Sequence, residues 1–203
     1  MYNVSNMTPK TFIFFGKSGS GKGTQANLLI ESLRAKDERK ILYVETGERF
    51  REFINSNNYS AQLTKEVMKL GGLLPVFLPV WIWTDFLVEN FSGEEHLVLD
   101  GLCRRPAEAP VLDSAMKFYK REKPIIVYIN TSDEWSAERL KSRGRSDDSD
   151  TYIKSRLDWF EWNVVPALSY FHDNEDYHFV EINGERSVEE VQSELQEKIK
   201  NLL

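Results

Sequence analysis

A glycine-rich stretch with a central lysine, GKSGSGKGT at residues 16–24, combines residue types that could bind phosphate. Its four glycines allow consecutive backbone N–H groups to turn toward one point without Cβ clashes, and the N-terminus of a following helix would strengthen such a cradle. Lys22 would place its ammonium on the β- and γ-phosphates of a nucleotide, and Thr24 would offer its hydroxyl to Mg²⁺ or phosphate. In the strict phosphate-loop pattern Ser or Thr directly follows the lysine, whereas Gly23 intervenes here.

Arginines gather in a second stretch, RLKSRGRSDDSDTYIKSR at residues 139–156, although the chain has a formal net charge of −6. Arg139 and Arg143 are four residues apart, so they would share a helix face and repel each other by roughly 0.2–0.5 kcal/mol unless an anion lies between them. Arg145 and Arg156 follow. A solvated helix face of mixed charge explains any two of these residues, whereas an anion site explains the whole series.

Two further stretches carry candidate phosphate and metal ligands. In ETGERFR, a Thr-Gly pair at a strand end precedes Arg51 by about one helical turn, which makes an anion pocket; a helix start with a surface arginine is the alternative. In VLDGLCRRPAEA, Asp100 ends an apolar strand, where its carboxylate could organise Mg²⁺ through water.

Short apolar runs separated by helical patterns predict the elements that position these residues. The predicted strands are TFIFF (11–15), ILYV (41–44), HLVLD (96–100), PIIVYIN (124–130) and HFVEIN (178–183). Most runs are continuous rather than alternating, as in strands of a parallel sheet that are buried on both faces. The alternation of strand and helix predicts one doubly wound α/β domain over residues 1–203.

Local signals predict several helix boundaries. Thr131 with Glu134, and Ser187 with Glu190, have the spacing of a capping box. The last helix carries an apolar stripe that should face the sheet, formed by Val188, Val191, Leu195, Ile199 and Leu202. Residues 45–95 are too many for one crossover helix and predict three: GERFREFINS, SAQLTKEVMKL ending at Gly71–Gly72, and one after Pro75. Insertions at the carboxyl ends of such strands commonly cover ligands.

The composition excludes several classes of protein. The net charge of −6 argues against nucleic acid or an anionic membrane as the main partner. The single cysteine, Cys103, excludes an internal disulfide and a multi-cysteine metal site. The start MYNVSNMTPK lacks a signal-peptide pattern and no apolar run approaches a membrane span, so we expect a cytoplasmic protein. The five tryptophans are predicted to pack in the core or between parts of the chain: Trp81, Trp83, Trp135, Trp159 and Trp162.

The stretch GKSGSGKGTQA resembles the phosphate loop of adenylate kinases and their relatives, the nucleoside monophosphate kinases, which also place a glycine between the lysine and the threonine. The resemblance spans roughly residues 11–200 through further motifs in the family's order: ETGERFR, GGLLP, VLDGLCRRPAEA and RLKSRGRSDDSDTYIKSR. It implies a P-loop NTPase fold with about five parallel strands, a helical monophosphate-binding insertion at residues 45–74 and a short lid at residues 139–149.

The activity that the resemblance implies is reversible transfer of the γ-phosphoryl group of Mg-ATP to AMP, giving two ADP molecules. The sequence leaves open a second interpretation, a GMP kinase or a CMP/UMP kinase of the same fold. A non-catalytic ATP-binding regulatory protein is a distant alternative. The implied partners are ATP and a nucleoside monophosphate, with Mg²⁺ as cofactor. The family also implies a monomer, and the short lid carries no ligands for a structural zinc ion.

The resemblance implies a role for each matching residue. Catalysis would fall to Lys22, Arg104, Arg139, Arg145 and Arg156, with Mg²⁺ held by Asp100 through water and by Thr24. ATP would be bound by Gly19, Ser20, Gly21, Lys22, Gly23, Thr24, Arg139, Arg143 and Arg186. The monophosphate would be bound by Thr46, Arg51, Gly72, Leu73, Leu74, Gly101, Arg104, Glu108, Arg145 and Arg156. Asp147 and Asp148 match an Asp-Asp pair that orients the lid arginines.

Some positions depart from the family's pattern. Glu48 and Val76 each stand where the family has aspartate, and Leu102 and Cys103 replace a Phe-Pro pair. Cys103 is predicted to be a packing residue rather than a nucleophile.

Glu108 is the most informative departure, because adenylate kinases have glutamine there. Glutamine can both donate to N1 of adenine and accept from its amino group, whereas a carboxylate only accepts. A carboxylate suits the N1–H and N2 amino donors of guanine better, or N4 of cytosine. The alternative is that Glu108 turns to solvent or to Arg105 and leaves the base to backbone contacts.

Overall fold

A five-stranded parallel sheet forms the centre of the computed structural model, which describes residues 8–70, 72–144 and 149–203. The strands are β1 (Thr11–Gly16), β2 (Ile41–Glu45), β3 (His96–Asp100), β4 (Ile125–Asn130) and β5 (His178–Asn183). They lie in the order β2-β3-β1-β4-β5, and each neighbouring pair is parallel. The five predicted strands are confirmed to within a residue at each end.

Nine α-helices lie within the same ranges: α1 (Lys22–Arg34), α2 (Thr46–Phe53), α3 (Tyr59–Lys69), α4 (Phe77–Asn90), α5 (Ala109–Phe118), α6 (Asp133–Arg143), α7 (Asp150–Trp159), α8 (Val165–His172) and α9 (Val188–Ile199). A 3₁₀ turn spans Pro106–Glu108, and a π-helical segment, Phe160–Val164, joins α7 to α8. The three helices predicted between the second and third strands are α2, α3 and α4. In the described part of the chain, no helix is long and apolar enough to cross a membrane.

Helices cover both faces of the sheet, which confirms the predicted doubly wound α/β fold. Successive side chains of a strand point to opposite faces, so Ile13 and Phe15 join a core with residues of α4, α5 and α8. Phe12 and Phe14 join a second core with residues of α1 and α9. Burying one such side chain contributes about 1.5–3 kcal/mol, which explains why residues 12–15 of the central strand are all apolar.

The two predicted capping boxes have different outcomes. At α9 the box is confirmed: the Ser187 hydroxyl accepts from the Glu190 N–H, and the Glu190 carboxylate accepts from the Ser187 N–H. At α6 the prediction of Thr131 was wrong, because the helix begins one residue later and Ser132 is the cap. The Thr131 hydroxyl instead hydrogen-bonds that of Ser136 (2.9 Å). The predicted stripe on α9 is confirmed where it buries Val191, Leu195 and Ile199 against the sheet.

The register of the sheet brings three loops to one edge. Asp100, the last residue of β3, lies opposite Phe14 of β1 on one side and Glu45 of β2 on the other. β2 and β3 therefore end at the same level, while β1 continues to Gly16, and the loops after all three strands begin at the carboxyl edge, where ligands bind in such sheets.

Candidate active site

One cavity of about 530 Å³ opens at this carboxyl edge. Its walls come from the loops after β1, β2 and β3, from α6 and α7, and from the start of α9. Of the predicted site residues, those in the described ranges all line it: Gly19, Ser20, Gly21, Lys22, Gly23, Thr24, Thr46, Arg51, Gly72, Leu73, Leu74, Asp100, Gly101, Arg104, Glu108, Arg139, Arg143, Arg156 and Arg186. Arg145, Asp147 and Asp148 of the predicted lid, and Gly71 beside Gly72, lie outside the described residues.

The phosphate loop closes as a tight turn between β1 and α1. The Lys17 carbonyl accepts a hydrogen bond from the Ser20 N–H (3.1 Å) and a second from Nζ of Lys22 (3.3 Å). Gly19 has a φ of 90°, and a Cβ there would clash with the carbonyl oxygen of Ser136. Glycine at this position therefore allows the loop to lie directly against α6.

The electrostatic surroundings of Lys22 favour a bound anion. Burial lowers its pKa, and repulsion from Arg104 and Arg143 adds to this effect, while Asp100 opposes it. Because desolvation and like charges both disfavour the ammonium, a phosphate in the cavity would restore the stability of its charged form.

Lys17 makes an ion-pair triad that the sequence analysis missed. Its Nζ lies 2.5 Å from Oδ1 of Asp133, at the start of α6, and 3.0 Å from Oε1 of Glu161, in the π-helical segment. Burial alone would lower the pKa of Lys17, but the hydrogen bonds to the two carboxylates outweigh it and raise the pKa. The triad ties the phosphate loop to two elements that are distant in sequence, and no local pattern indicates it.

Asp100 fits the predicted magnesium role. Its side chain is buried; Oδ2 accepts from the Tyr43 hydroxyl (3.3 Å), and Oδ1 has no hydrogen-bond partner among the described residues. Burial raises the pKa of this carboxyl, so a nearby cation would favour its ionised form. Mg²⁺ is commonly held by one or two carboxylates together with substrate phosphates, and Thr24 lines the same cavity.

Arg104 lies folded over the loop after β3. Its Nε–H donates to the Gly101 carbonyl (3.0 Å), while Gly101 adopts a φ of 74° and leaves room for the guanidinium. Burial lowers the pKa of Arg104, opposed by Asp100 and Glu108. Cys103 in this loop is buried in the core, which agrees with its predicted packing role.

The predicted phosphate pocket after β2 contains a buried hydroxyl. Thr46 is buried, and its Oγ1 has no partner among the residues that the structure describes. Arg51 lies one turn along α2, where its Nη2 donates to Oε1 of Glu45 (3.0 Å). A phosphate between Thr46 and Arg51 would satisfy the hydroxyl and compete with Glu45 for the guanidinium.

Three arginines of the motif at residues 139–156, together with the predicted ATP ligand Arg186, line the cavity from α6, α7 and the loop before α9. Arg139 and Arg143 share a face of α6, as their spacing predicts, and Arg139 packs over the Trp135 ring (5.0 Å). Arg156 lines the cavity from α7. Arg186 forms an ion pair with Glu194 on α9 and donates to the Asn183 carbonyl (3.3 Å), so its charge is largely compensated within the protein.

Glu108 is buried in the cavity wall with only 1% of its surface exposed, so the alternative in which it turns to solvent was wrong. Its Oε2 accepts a hydrogen bond from the backbone N–H of Arg104 (3.1 Å). Burial raises the pKa of the carboxyl, and Arg104 and Arg105 offset part of this rise. The Arg105 guanidinium donates to the Leu73 carbonyl (3.2 Å) and thereby joins the loop of Glu108 to the predicted base-binding loop.

Aromatic side chains complete the cavity wall, and most were not predicted. Trp135 and Trp159, predicted as core or domain contacts, line the cavity beside Tyr43 and Phe50. Of the other tryptophans, Trp83 is buried as predicted, whereas Trp162 is 80% exposed and contradicts the prediction. Spacing alone does not distinguish an aromatic residue of the core from one that lines a cavity.

A glycine-rich loop between the first strand and the first helix of a parallel sheet, with a buried acid at the end of the neighbouring strand, defines a P-loop nucleotide-binding protein. Comparison with known proteins identifies the family, within this class, to which the chain belongs. The sequence profile of the adenylate kinase family matches residues 14–176, so the chain belongs to the adenylate kinase family, whose members are phosphotransferases.

Similar proteins cover almost the whole chain. An adenylate kinase of Prochlorococcus marinus strain AS9601 is 30% identical over 190 residues, which are 94% of this chain and 98% of the relative. An adenylate kinase of Flavobacterium psychrophilum is 30% identical over 195 residues, with the same coverage. Adenylate kinase 1 of a Nostoc strain is 30% identical over 183 residues, 90% of this chain and 95% of the relative.

Proposed function

We propose that the protein transfers the γ-phosphoryl group of Mg-ATP reversibly to AMP and forms two molecules of ADP. The observation that carries the proposal is the concentration of basic groups around one cavity in a chain of net charge −6. The phosphate loop with Lys22 suits one phosphate chain. The separate pocket of Thr46 and Arg51 suits a second phosphate, which a site for ATP alone does not need. The names of the similar proteins support AMP as the acceptor.

The proposed mechanism needs no general base or covalent nucleophile, because the acceptor phosphate is already an anion. Catalysis then consists of positioning and charge stabilisation. Lys22 holds the phosphates of ATP, Arg104 binds the acceptor phosphate through two N–H groups, and Arg139, Arg145 and Arg156 neutralise the transferring group. Asp100, through water, and Thr24 would hold Mg²⁺, which would supply further neutralisation of the phosphate charge.

The insertion at residues 45–74 and the lid at residues 139–149 cover different parts of the site, one for each substrate. On the donor side, residues 19–24 cradle the triphosphate, and Arg139, Arg143 and Arg186 line the rest of the ATP site. On the acceptor side, residues 45–74, with Gly101 and Glu108, hold the monophosphate. Closure of residues 45–74 and 139–149 over the substrates would exclude water, which otherwise would accept the phosphoryl group. We also predict that the enzyme is a monomer and that it is cytoplasmic.

A second candidate is phosphorylation of GMP or of CMP and UMP by the same site. The observation that favours it is the buried carboxylate of Glu108, which lines the cavity where adenylate kinases have glutamine. An ionised carboxylate accepts hydrogen bonds but cannot donate one to N1 of adenine.

An assay of ATP consumption with Mg²⁺, run separately with AMP, GMP, CMP and UMP, tests the proposal. We expect AMP-dependent turnover that Arg104→Ala lowers by about 10³-fold or more, the scale of an arginine that stabilises phosphoryl transfer. Arg34→Ala, at an exposed position on α1, is the matched control and should retain activity. Absence of turnover with every monophosphate would contradict the kinase proposal and favour an ATP-binding regulator.

A further inference from the structure

One oxygen of the Glu108 carboxyl group is already occupied. Oε2 accepts the backbone N–H of Arg104 (3.1 Å), an interaction that holds the carboxyl group at the cavity wall. Oε1 is therefore the oxygen left for a ligand in the cavity that Glu108 lines. The predicted base-binding residues Gly72, Leu73 and Leu74 line the same cavity, and Arg105 hydrogen-bonds Leu73.

Among the described residues, the charges that act on the pKa of Glu108 lie in the loop before it, and the cations Arg51 and Arg156 line the same cavity. Burial raises the pKa of the carboxyl, and Arg104 and Arg105, in the loop before it, lower it without outweighing burial; the Cys103 thiol in the same loop also interacts with the carboxyl. On the other side, the buried face of α8 is apolar. On α5 the buried Asp113 is already bound to Lys117, Tyr170 and Tyr177. Burial therefore favours the neutral form of Glu108 more than water would.

Because only Oε1 of Glu108 is available to the base, the presence or absence of a proton on this oxygen determines which base can form a hydrogen bond with it. N1 of adenine is an acceptor, so a hydrogen bond to Oε1 requires one proton between the two atoms. N1 of guanine carries a hydrogen and donates to an ionised Oε1 without any added proton. Glutamine, which always presents an N–H, does not have this dependence.

We propose that Glu108 couples the choice of acceptor base to one proton: AMP binds with a proton shared between Oε1 and N1 of adenine, and GMP binds to the ionised carboxylate. The inference rests on the proposed function and deepens it. AMP binding should therefore weaken as the pH rises, because Glu108 must first regain its proton.

The KM for AMP, measured from pH 6.0 to 8.5 in the natural protein and in Glu108→Gln, tests the coupling. The variant preserves side-chain shape and an oxygen for the Arg104 N–H, so it should fold. The ratio of the KM of the natural protein to that of the variant should rise at least tenfold over this range, since binding that needs a proton weakens by up to tenfold per pH unit. Ionisation of the AMP phosphate affects both proteins and cancels in the ratio.

Two further measurements separate recognition of the base from a general defect. The KM for ATP should be the same in both proteins at each pH, because Glu108 lies in the acceptor part of the site. Calorimetry of AMP binding at pH 7.5, in two buffers of different ionisation enthalpy, should show uptake of up to one proton by the natural protein and none by Glu108→Gln. For GMP, the natural protein should show no such uptake, and the substitution should weaken binding by about tenfold.

The outcomes distinguish this inference from the proposed function. A KM ratio for AMP that stays constant with pH, together with equal proton uptake by the two proteins, would overturn the role of Glu108 while AMP-dependent turnover still supported the kinase. Failure of both proteins to use any monophosphate would overturn the proposed function itself.

Discussion

Single residues at the cavity carry charges that the ligand-free fold disfavours. Lys22 and Arg104 both have lowered pKa values because burial removes water from the cations, and the neighbouring Asp100 has a raised one for the same reason. Such groups are retained at a cost in stability, a pattern typical of sites that bind a charged ligand.

Replacement of Lys22 by methionine should separate stability from activity. A lysine whose pKa falls on folding favours the unfolded chain at neutral pH, where the unfolded lysine is charged, so Lys22→Met should raise the midpoint of thermal unfolding without ligand. The same change should lower phosphoryl transfer by about 10³-fold, because the phosphates lose their cation. Circular dichroism melts and the coupled assay measure the two effects. Lys65→Met, at an exposed site on α3, should change neither, and a lower midpoint for Lys22→Met would contradict the argument.

The sequence predicted the residues of the cavity when their type and spacing carried the chemistry. Lys22 follows from the glycine loop, whereas Arg104 follows from the resemblance of VLDGLCRRPAEA to the family's motif. The direction of Glu108 did not follow, because solvent and cavity were both open to its side chain until the Arg104 N–H and the neighbouring apolar helix were in place. The ion pairs of Lys17 were also missed, since Asp133 and Glu161 are far away in the sequence.

At the scale of elements, the Lys17 triad connects the phosphate loop to α6 and to the π-helical segment. The Lys17 carbonyl receives Nζ of Lys22, so the anchored Lys17 side chain also holds the acceptor that orients Lys22. Asp133 and Glu161 are half-exposed and can be hydrated, whereas Lys17 is buried and depends on them.

Loss of this anchor should weaken ATP binding more than catalysis. Lys17→Met keeps the apolar stem of the side chain but removes both ion pairs, so the loop should become less ordered. We expect the KM for ATP to rise by about tenfold, with a smaller change in kcat and in the KM for AMP. Steady-state kinetics with each substrate varied in turn provides the measurement. Lys36→Met, an exposed lysine after α1, serves as control. An unchanged KM for ATP would show that the triad does not support the loop.

The positions of the strands and helices were the most predictable feature of the structure. Each strand contains a short apolar run, and in β1 and β3 burial on both faces makes that run continuous, which is the pattern that predicted their positions. The predicted start of α6 was wrong by one residue, because Thr131 and Ser132 can both cap a helix. The Thr131 hydroxyl contacts Ser136 instead, and Ser132 is the cap. The π-helical segment Phe160–Val164 has no distinctive sequence pattern, because it differs from an α-helix only in its hydrogen-bond spacing.

In the molecule as a whole, the two ends of the parallel strands have different roles: the carboxyl ends border the cavity, and the amino ends contain a buried polar group. The order β2-β3-β1-β4-β5 places the phosphate loop on the central strand, and the sequence did not indicate this order because the pattern of a strand does not specify which strands are its neighbours. Asp100 ends β3 at the cavity, while His96 begins the same strand at the opposite edge and is fully buried. Its Nδ1 accepts the Lys10 N–H (3.0 Å), so Nε2–H donates to Asp37 (3.1 Å) and the ring is neutral.

This buried histidine should make the stability of the fold, rather than the chemistry of the cavity, sensitive to mild acid. Burial lowers the pKa of His96 in the folded protein, so its contribution to stability is complete above the unfolded value of about 6.5 and is lost as the pH falls toward the folded value. The urea midpoint should therefore drop less between pH 7.5 and 5.5 in His96→Asn than in the natural protein, although the variant is less stable at pH 7.5. His172→Asn, at an exposed site, should retain the natural pH dependence. Equal drops in all three proteins would assign the acid sensitivity to groups other than His96.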